Sequence, residues 1–241
     1  WSEGVTSWDL ASPRAPGRAW RLPTLGRANS VALRDDLALV ADLEAGLQIV
    51  DVSERTGPRR VGEFRPLGIV EDAAWSGPNV YLVDAQNLIA VDASDPASPF
   101  ELGRHERLIG AVSVRVQGDT AYVGGWEKGI WTINVGSASS PRRLASLDLP
   151  GGAAGLAVRS GQVLVAADEA GLHVVDASDR ARPRLLGTLD TPGHSEAVAV
   201  AGTTAWVADR GGGVHMVDLS DPAAPTLLAS YDTPGNAVGV S

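Results

Sequence analysis

Along this chain apolar residues alternate with small or polar ones in short runs, and no window sustains the 3.6-residue period of a helix. The clearest stretch reads as four strands: SEAVAVAG (195–202), TAWVAD (204–209), GVHMVDLS (213–220) and PTLLASYD (225–232). Each has the length of an ordinary strand, carries β-branched or aromatic residues, and is bounded by turn formers. The pattern recurs upstream. GLHVVDASDRARPRLLGTLDTPG (171–193) and GVHMVDLSDPAAPTLLASYDTPG (213–235) are near copies, offset by 42 residues.

The aspartate of VVDAS marks the phase. It recurs as Asp9, Asp51, Asp92, Asp176 and Asp218, with Asn134 in its place once, at intervals of 41 or 42 residues. Seven residues after each marker stands a proline: Pro16, Pro58, Pro99, Pro141, Pro183 and Pro225. Five residues before it stands Gly4, Gly46, Gly129, Gly171 or Gly213, with Asn87 standing in once. Glycine and asparagine both tolerate positive φ, so one turn geometry is expected in all six repeats.

A four-stranded sheet repeated every ~40–45 residues is the signature of a propeller blade. Each blade is apolar on both faces and buries them only by stacking. The expected fold is therefore all-β: one six-bladed β-propeller domain over residues 1–241, built of four-stranded blades. The chain starts within a third strand (GVTSWDLA, 4–11) and ends in a first strand (NAVGVS, 236–241), so one blade is expected to be split between the N- and C-termini. Its second strand is expected to follow Ser241 in a longer parent or to come from a partner chain. Without it, roughly three Val- or Leu-sized side chains would be bare, at ~1.5–3 kcal/mol each.

Composition narrows the function classes. The formal net charge of −9 argues against nucleic acid, which needs a basic surface. No apolar run is long enough for a membrane span. With no cysteine, disulfides, thiolate nucleophiles and zinc–thiolate sites are excluded.

The segments GLQIVDVS, LIAVDAS, GLHVVDAS and GVHMVDLS, followed by DPASP or DPAAP and preceded by AYVGG or AWVAD, resemble LVIVD repeats. The resemblance covers essentially the whole chain and is weaker in the first repeat (Trp8–Pro16) and in the fourth, TINVGSASSP. It implies a propeller of bacterial or archaeal secreted or cell-surface proteins, with a binding or adhesive role. It brings no catalytic motif that could be placed on residues of this chain.

The VDxSDPxxP turn is the loudest motif. Asp51, Asp92, Asp176 and Asp218, with Asp95, Asp179 and Asp221, could form a ring of carboxylates. Repetition in nearly every blade favours a turn role instead, with the aspartate and the following serine bonding turn amides and the proline setting φ. Positions that differ between blades are better site candidates. Asn29, Glu71 and Glu196 start innermost strands, with Asp72 beside them, and Asp84 and Asp209 end second strands. Gathered at a channel mouth, these groups would attract a cation, Ca²⁺ through oxygen ligands being one option. The bland alternative has the aspartates capping turns and the glutamates pairing with Arg27, Arg65, Arg104 or Arg210.

Trp126 and Glu127, in the GGWEKGIW loop (124–131), are candidates for contact with a partner, whereas Trp131 is expected to pack. His194, beside Glu196, could serve in acid–base work, but no nucleophile or substrate logic accompanies it. His173 and His215 share one repeat phase and are expected to pack between blades.

The expected function is a non-enzymatic, extracytoplasmic module (secreted, periplasmic or on the cell surface) that binds a protein or surface polymer. Two rivals are a metal-dependent, hydrolase-like enzyme at the acidic mouth and a structural subunit of a larger assembly. Propeller folds host all three.

Overall fold

The computed structural model describes residues 4–12, 14–54 and 57–241. The chain forms two compact units, Trp1–Glu106 with Ala138–Ser140, and Arg107–Ser137 with Pro141–Ser241. Among the described residues there is no helix, and every strand pair is antiparallel.

The first unit holds three sheets. β1 (Val5–Asp9) pairs with β2 (Gly17–Leu22) alone. β3 (Ser30–Arg34), β4 (Leu37–Ala41), β5 (Leu47–Asp51) and β6 (Arg59–Phe64) form a meander, as do β7 (Asp72–Ser76), β8 (Asn79–Val83), β9 (Leu88–Asp92) and β10 (Phe100–His105). The second unit repeats the meander three times. Its sheets are β11 (Ala111–Gln117) with β12 (Thr120–Gly125), β13 (Gly129–Asn134) and β14 (Arg142–Leu147); β15 (Gly155–Arg159) with β16 (Gln162–Ala166), β17 (Leu172–Asp176) and β18 (Arg184–Leu189); and β19 (Ala197–Ala201) with β20 (Thr204–Ala208), β21 (Val214–Asp218) and β22 (Thr226–Tyr231).

The four strands expected between 195 and 232 are all present, each shortened at its ends where turn hydrogen bonds replace the ladder. Residues 236–241 differ from expectation. Instead of a strand they form an isolated bridge, Arg210 to Ala237, and among the described residues no strand pairs with them.

In the five four-stranded sheets second and third strands are largely buried, and in β8 and β9 both faces are covered, so the pattern there is a continuous apolar run. In the first unit Leu39, Ile49 and Leu47 pack against Val80, Leu82, Ile89 and Val91 of the next sheet. In the second, Leu164, Leu172 and Val174 pack against Val198, Val207 and Val217. Fourth strands are outermost and largely exposed.

Every fourth strand carries a bulge against its third strand at the same repeat position, including the first and fourth repeats, whose sequences diverge most. The bulge bends the strand and raises its twist. Just beyond it a glycine often accepts the next repeat's turn. A Cβ on Gly187 would lie 2.7 Å from the carbonyl oxygens of Pro222 and Ala223, and Gly62 meets Pro96 in the same way.

The marker prolines immediately precede the fourth strands, where a missing N–H costs the ladder nothing. The second turn departs from expectation in one repeat. Gly46, Gly129, Gly171 and Gly213 have φ between +73° and +83°, but Asn87 does not adopt positive φ. That repeat is one residue shorter, and its turn closes from Asp84 to Asn87, whereas the longer form closes from Asp42 to Gly46. Positive φ falls on Ala85 alone.

Candidate functional site

The repeated aspartates are turn elements. Oδ1 of Asp51, Asp92, Asp176 and Asp218 accepts the N–H and the hydroxyl of the serine two residues on, at 2.8–3.0 and 2.5–2.7 Å. These bonds, the serine hydroxyl first, hold all four carboxyls below the usual range, Asp51 at about 2. Asn134 does the same work without charge, accepting the N–H of Gly136 at 3.1 Å. Asp95, Asp179 and Asp221 each accept an amide two residues on at 3.0 Å. In each aspartate Oδ1 serves its own turn, and Oδ2 of Asp51 and Asp176 accepts from Arg59 and Arg184.

The blade-specific residues fall into two groups, one in each unit. In the first unit the Asn29 side-chain amide donates to the Glu71 main-chain oxygen at 2.8 Å and reaches its carboxylate at 3.5 Å. The next residues pair in parallel, with the Ser30 hydroxyl donating to Asp72. Both links span 42 residues, so they join equivalent points of neighbouring repeats. Burial pushes the Glu71 carboxyl up, partly offset by Arg27. Arg27 itself bonds Glu44 at 2.9 Å. Asp84 is buried in its own turn, where it accepts the amides of Gln86 and Asn87 and the Asn87 side chain.

In the second unit Asp209 is fully buried and is the hub of a network. Oδ1 accepts the hydroxyls of Thr191 at 2.7 Å and Ser195 at 2.9 Å. Oδ2 accepts the Gly193 amide at 2.7 Å and lies 3.0 Å from His215 Nε2. On its other side the His215 ring places Nδ1 2.8 Å from Ser230 Oγ, so the imidazole bridges the buried carboxylate and the fourth strand. Glu196 pairs with Arg210, and His194 Nδ1 meets Asp168 Oδ1 at 2.7 Å rather than Glu196. Among the described residues no three His, Asp or Glu side chains gather closely enough to hold a metal ion.

Trp126 is 42% exposed, while Trp131 is buried with its ring against Gly125. Glu127 is exposed. The Trp126 amide donates to Gly110 O at 3.2 Å, and Ala153 N donates to Gly125 O at 3.0 Å, which ties this turn to the loops on either side. That first contact places Trp126 beside Ile109, 74% exposed, a residue that sequence reasoning missed. In the first unit Leu25, Leu67 and Ile69 are exposed in the equivalent loops. The available signal was a large apolar residue inside a loop otherwise rich in turn formers.

No helix of the described residues is long and apolar enough to cross a membrane. No curated protein matches this chain. Among solved structures it is similar to a protein from Lactobacillus plantarum, at TM-score 0.84 and 12% identity over 98% of this chain and 81% of that one. It is also similar to the β-propeller domain of Myceliophteria thermophila Cps50 (Swd1), at TM-score 0.68 and 13% identity over 87% and 73% of the two chains. BamB from Moraxella catarrhalis matches at TM-score 0.62 and 14% identity, over 89% and 65%. At such identities the likeness carries the fold, a β-propeller, and nothing further. LVIVD repeats match at residues 25–65, 67–106, 110–147, 150–191 and 192–233, which are the five four-stranded sheets. This chain belongs to the LVIVD-repeat family.

Proposed function

We propose that the chain is a non-enzymatic binding module: a single six-bladed propeller domain over residues 1–241, with one blade shared between its two ends, that holds a protein or surface polymer outside the cytoplasm. The observation that carries this reading is the exposed pair Ile109 and Trp126 on main-chain-bonded loops. Large apolar side chains on an immobile frame lose little entropy on contact and are common interface anchors. Of the candidate carboxylates, Asp84 is engaged in its own turn, Glu196 in an ion pair and Asp209 in its buried network. The repeat family and the propeller fold agree with a protein-binding role.

The test compares wild type with a double variant, Ile109→Ser and Trp126→Ala, as bait against the native envelope fraction. Ile109 is mostly in solvent but Trp126 is more than half covered, so a small fall in melting temperature is expected and capture is compared at a temperature where both proteins are folded. A prey retained by wild type and lost by the variant supports the reading. Equal capture by both removes this face as the binding surface.

A further inference from the structure

At the start of β6, Arg59 and Arg60 are neutralised by Asp51 at 3.0 Å and Glu63 at 3.3 Å. Arg184, which opens β18 at the same repeat position as Arg59, is neutralised by Asp176 at 2.9 Å. The fourth repeat keeps both arginines, Arg142 and Arg143, and lacks both carboxylates. Asn134 stands in the place of Asp51, and Ser146 in the place of Glu63. Ser137 likewise replaces the turn aspartate seen as Asp95, Asp179 and Asp221. The fifth repeat departs from the pattern in the same direction. Its Arg180 and Arg182 occupy turn positions held elsewhere by Pro96 and Ser98, or by Pro222 and Ala224.

The fold brings these two departures together. The Arg180 carbonyl accepts the Thr132 hydroxyl at 2.6 Å, which seats the fifth repeat's turn on β13. The next two residues of β13, Ile133 and Asn134, pair with Arg143 and Arg142. The Arg180 guanidinium lies over Gly118, between β11 and β12, 4.0 Å from where a Cβ would stand. Arg142, Arg143, Arg180 and Arg182 are all exposed, and among the described residues none has a carboxylate in ion-pair contact. Two carboxylates stand nearby: Asp119, beside Gly136, and Asp179, whose Oδ1 accepts the Ala181 amide. A surplus of positive charge is left on a chain whose formal net charge is −9.

We propose that these four arginines form a binding surface for a flexible polyanion, a polymer along which phosphate or carboxylate groups recur. A guanidinium presents a planar fork that takes either oxyanion through two parallel N–H bonds. Like charges gathered on one face repel, and a bound anion relieves that repulsion. A folded protein suits the surface less well, because protein interfaces are depleted of charge at their centre and here charge is the centre. The inference rests on the binding-module reading and gives it a class of polymer and a second surface.

The experiment titrates the protein into fluorescently labelled sodium polyphosphate and, separately, sodium polygalacturonate, read by anisotropy. Saturable binding that weakens with added salt is expected, and the polymer preferred identifies the oxyanion. Two double variants, Arg142→Gln with Arg143→Gln and Arg180→Gln with Arg182→Gln, are each expected to weaken binding about tenfold. These side chains are in solvent and glutamine keeps the Arg180 carbonyl, so melting temperature is expected to be unchanged. A control pair in the other unit, Arg14→Gln with Arg18→Gln, makes the same change in charge and is expected to stay within about twofold of wild type. No saturable binding of either polymer, unchanged binding by either double variant, or an equal loss in the control overturns the proposal. So does tighter binding of a synthetic Asp/Glu-rich peptide than of either polymer, which reassigns the surface to an acidic protein segment. Capture through Ile109 and Trp126 uses none of these arginines, so either reading can fail while the other stands.

Discussion

Asp51 accepts two hydrogen bonds from Ser53 through a single oxygen, Oδ1, at 3.0 Å from the amide and 2.6 Å from the hydroxyl. Its other oxygen takes Arg59 at 3.0 Å. The folded carboxyl is thereby held at about 2, below the unfolded value near 3.8. The stabilisation is present above the unfolded value and is lost as pH falls through the folded one. Asp92, Asp176 and Asp218 act in the same direction. Melting temperature is expected to fall as pH drops from 4 toward 2, and carboxyl-carbon NMR is expected to show Asp51 titrating near 2. Replacing Ser53 by Ala is expected to raise that midpoint.

His173 behaves in the opposite sense to a paired histidine. It has the same repeat position as His215, but Ala167 stands where His215 finds Asp209. Its Nε2 donates instead to Pro150 O at 3.0 Å, and Nδ1 is buried without a partner. Burial lowers its pKa. Between the folded and unfolded values the unfolded chain binds more protons, so stability declines as pH falls below about 6.5. His173→Gln, the residue used at Gln48, is expected to flatten the melting curve between pH 7.5 and 5.5.

Asp209 cannot be removed quietly. Asp209→Ala leaves Thr191, Ser195, Gly193 and His215 without their acceptor inside the fold. The expected loss is about 3–5 kcal/mol, read by urea titration. Ser230→Ala, at the exposed end of the same chain of bonds, is expected to cost about 1 kcal/mol.

Glycine substitutions separate the seat of a turn from open surface. Gly187→Ala drives a methyl onto two main-chain oxygens and is expected to cost ~1–3 kcal/mol. Gly211→Ala meets nothing within 4 Å and is expected to stay within about 0.5 kcal/mol of wild type in the same chemical denaturation series.

Calorimetry with Ca²⁺ is expected to give no saturable heat, and chelator to leave the melting temperature unchanged. Asp84 and Asp209 already accept several N–H or O–H donors, and Glu196 is paired with Arg210. A saturable heat abolished by Glu71→Gln would restore a cation to the Asn29–Glu71 pair.

Strand order and repeat phase were legible because backbone needs recur: an aspartate to close a turn, a proline where no donor is wanted, alternation across a sheet. Asn87 was misread because the 41-residue spacing, visible in the sequence, also changes the turn that the asparagine occupies. Depth was hidden too. Asp209 and Asp84 look like any surface aspartates in sequence, and only the packed sheets reveal them as buried acceptors. Ile109 and Leu67 were passed over because a lone apolar loop residue carries no periodicity. Their exposure is a property of the folded surface. Glu71 stands out in the sequence because the same repeat position holds other residues in most blades, but its contact with Asn29 depends on how neighbouring repeats lean, which no local pattern encodes.

The seating of the Pro222–Ala223 turn on Gly187, and of Pro96 on Gly62, gives the array a grammar of inheritance. A socket in one repeat is matched by a plug belonging to the next, so neither half is useful when copied alone. Duplications and deletions that move the chain by whole repeats keep every plug with a socket, whereas crossovers elsewhere orphan one of each. Relatives of this protein are expected to differ in length by steps of one repeat.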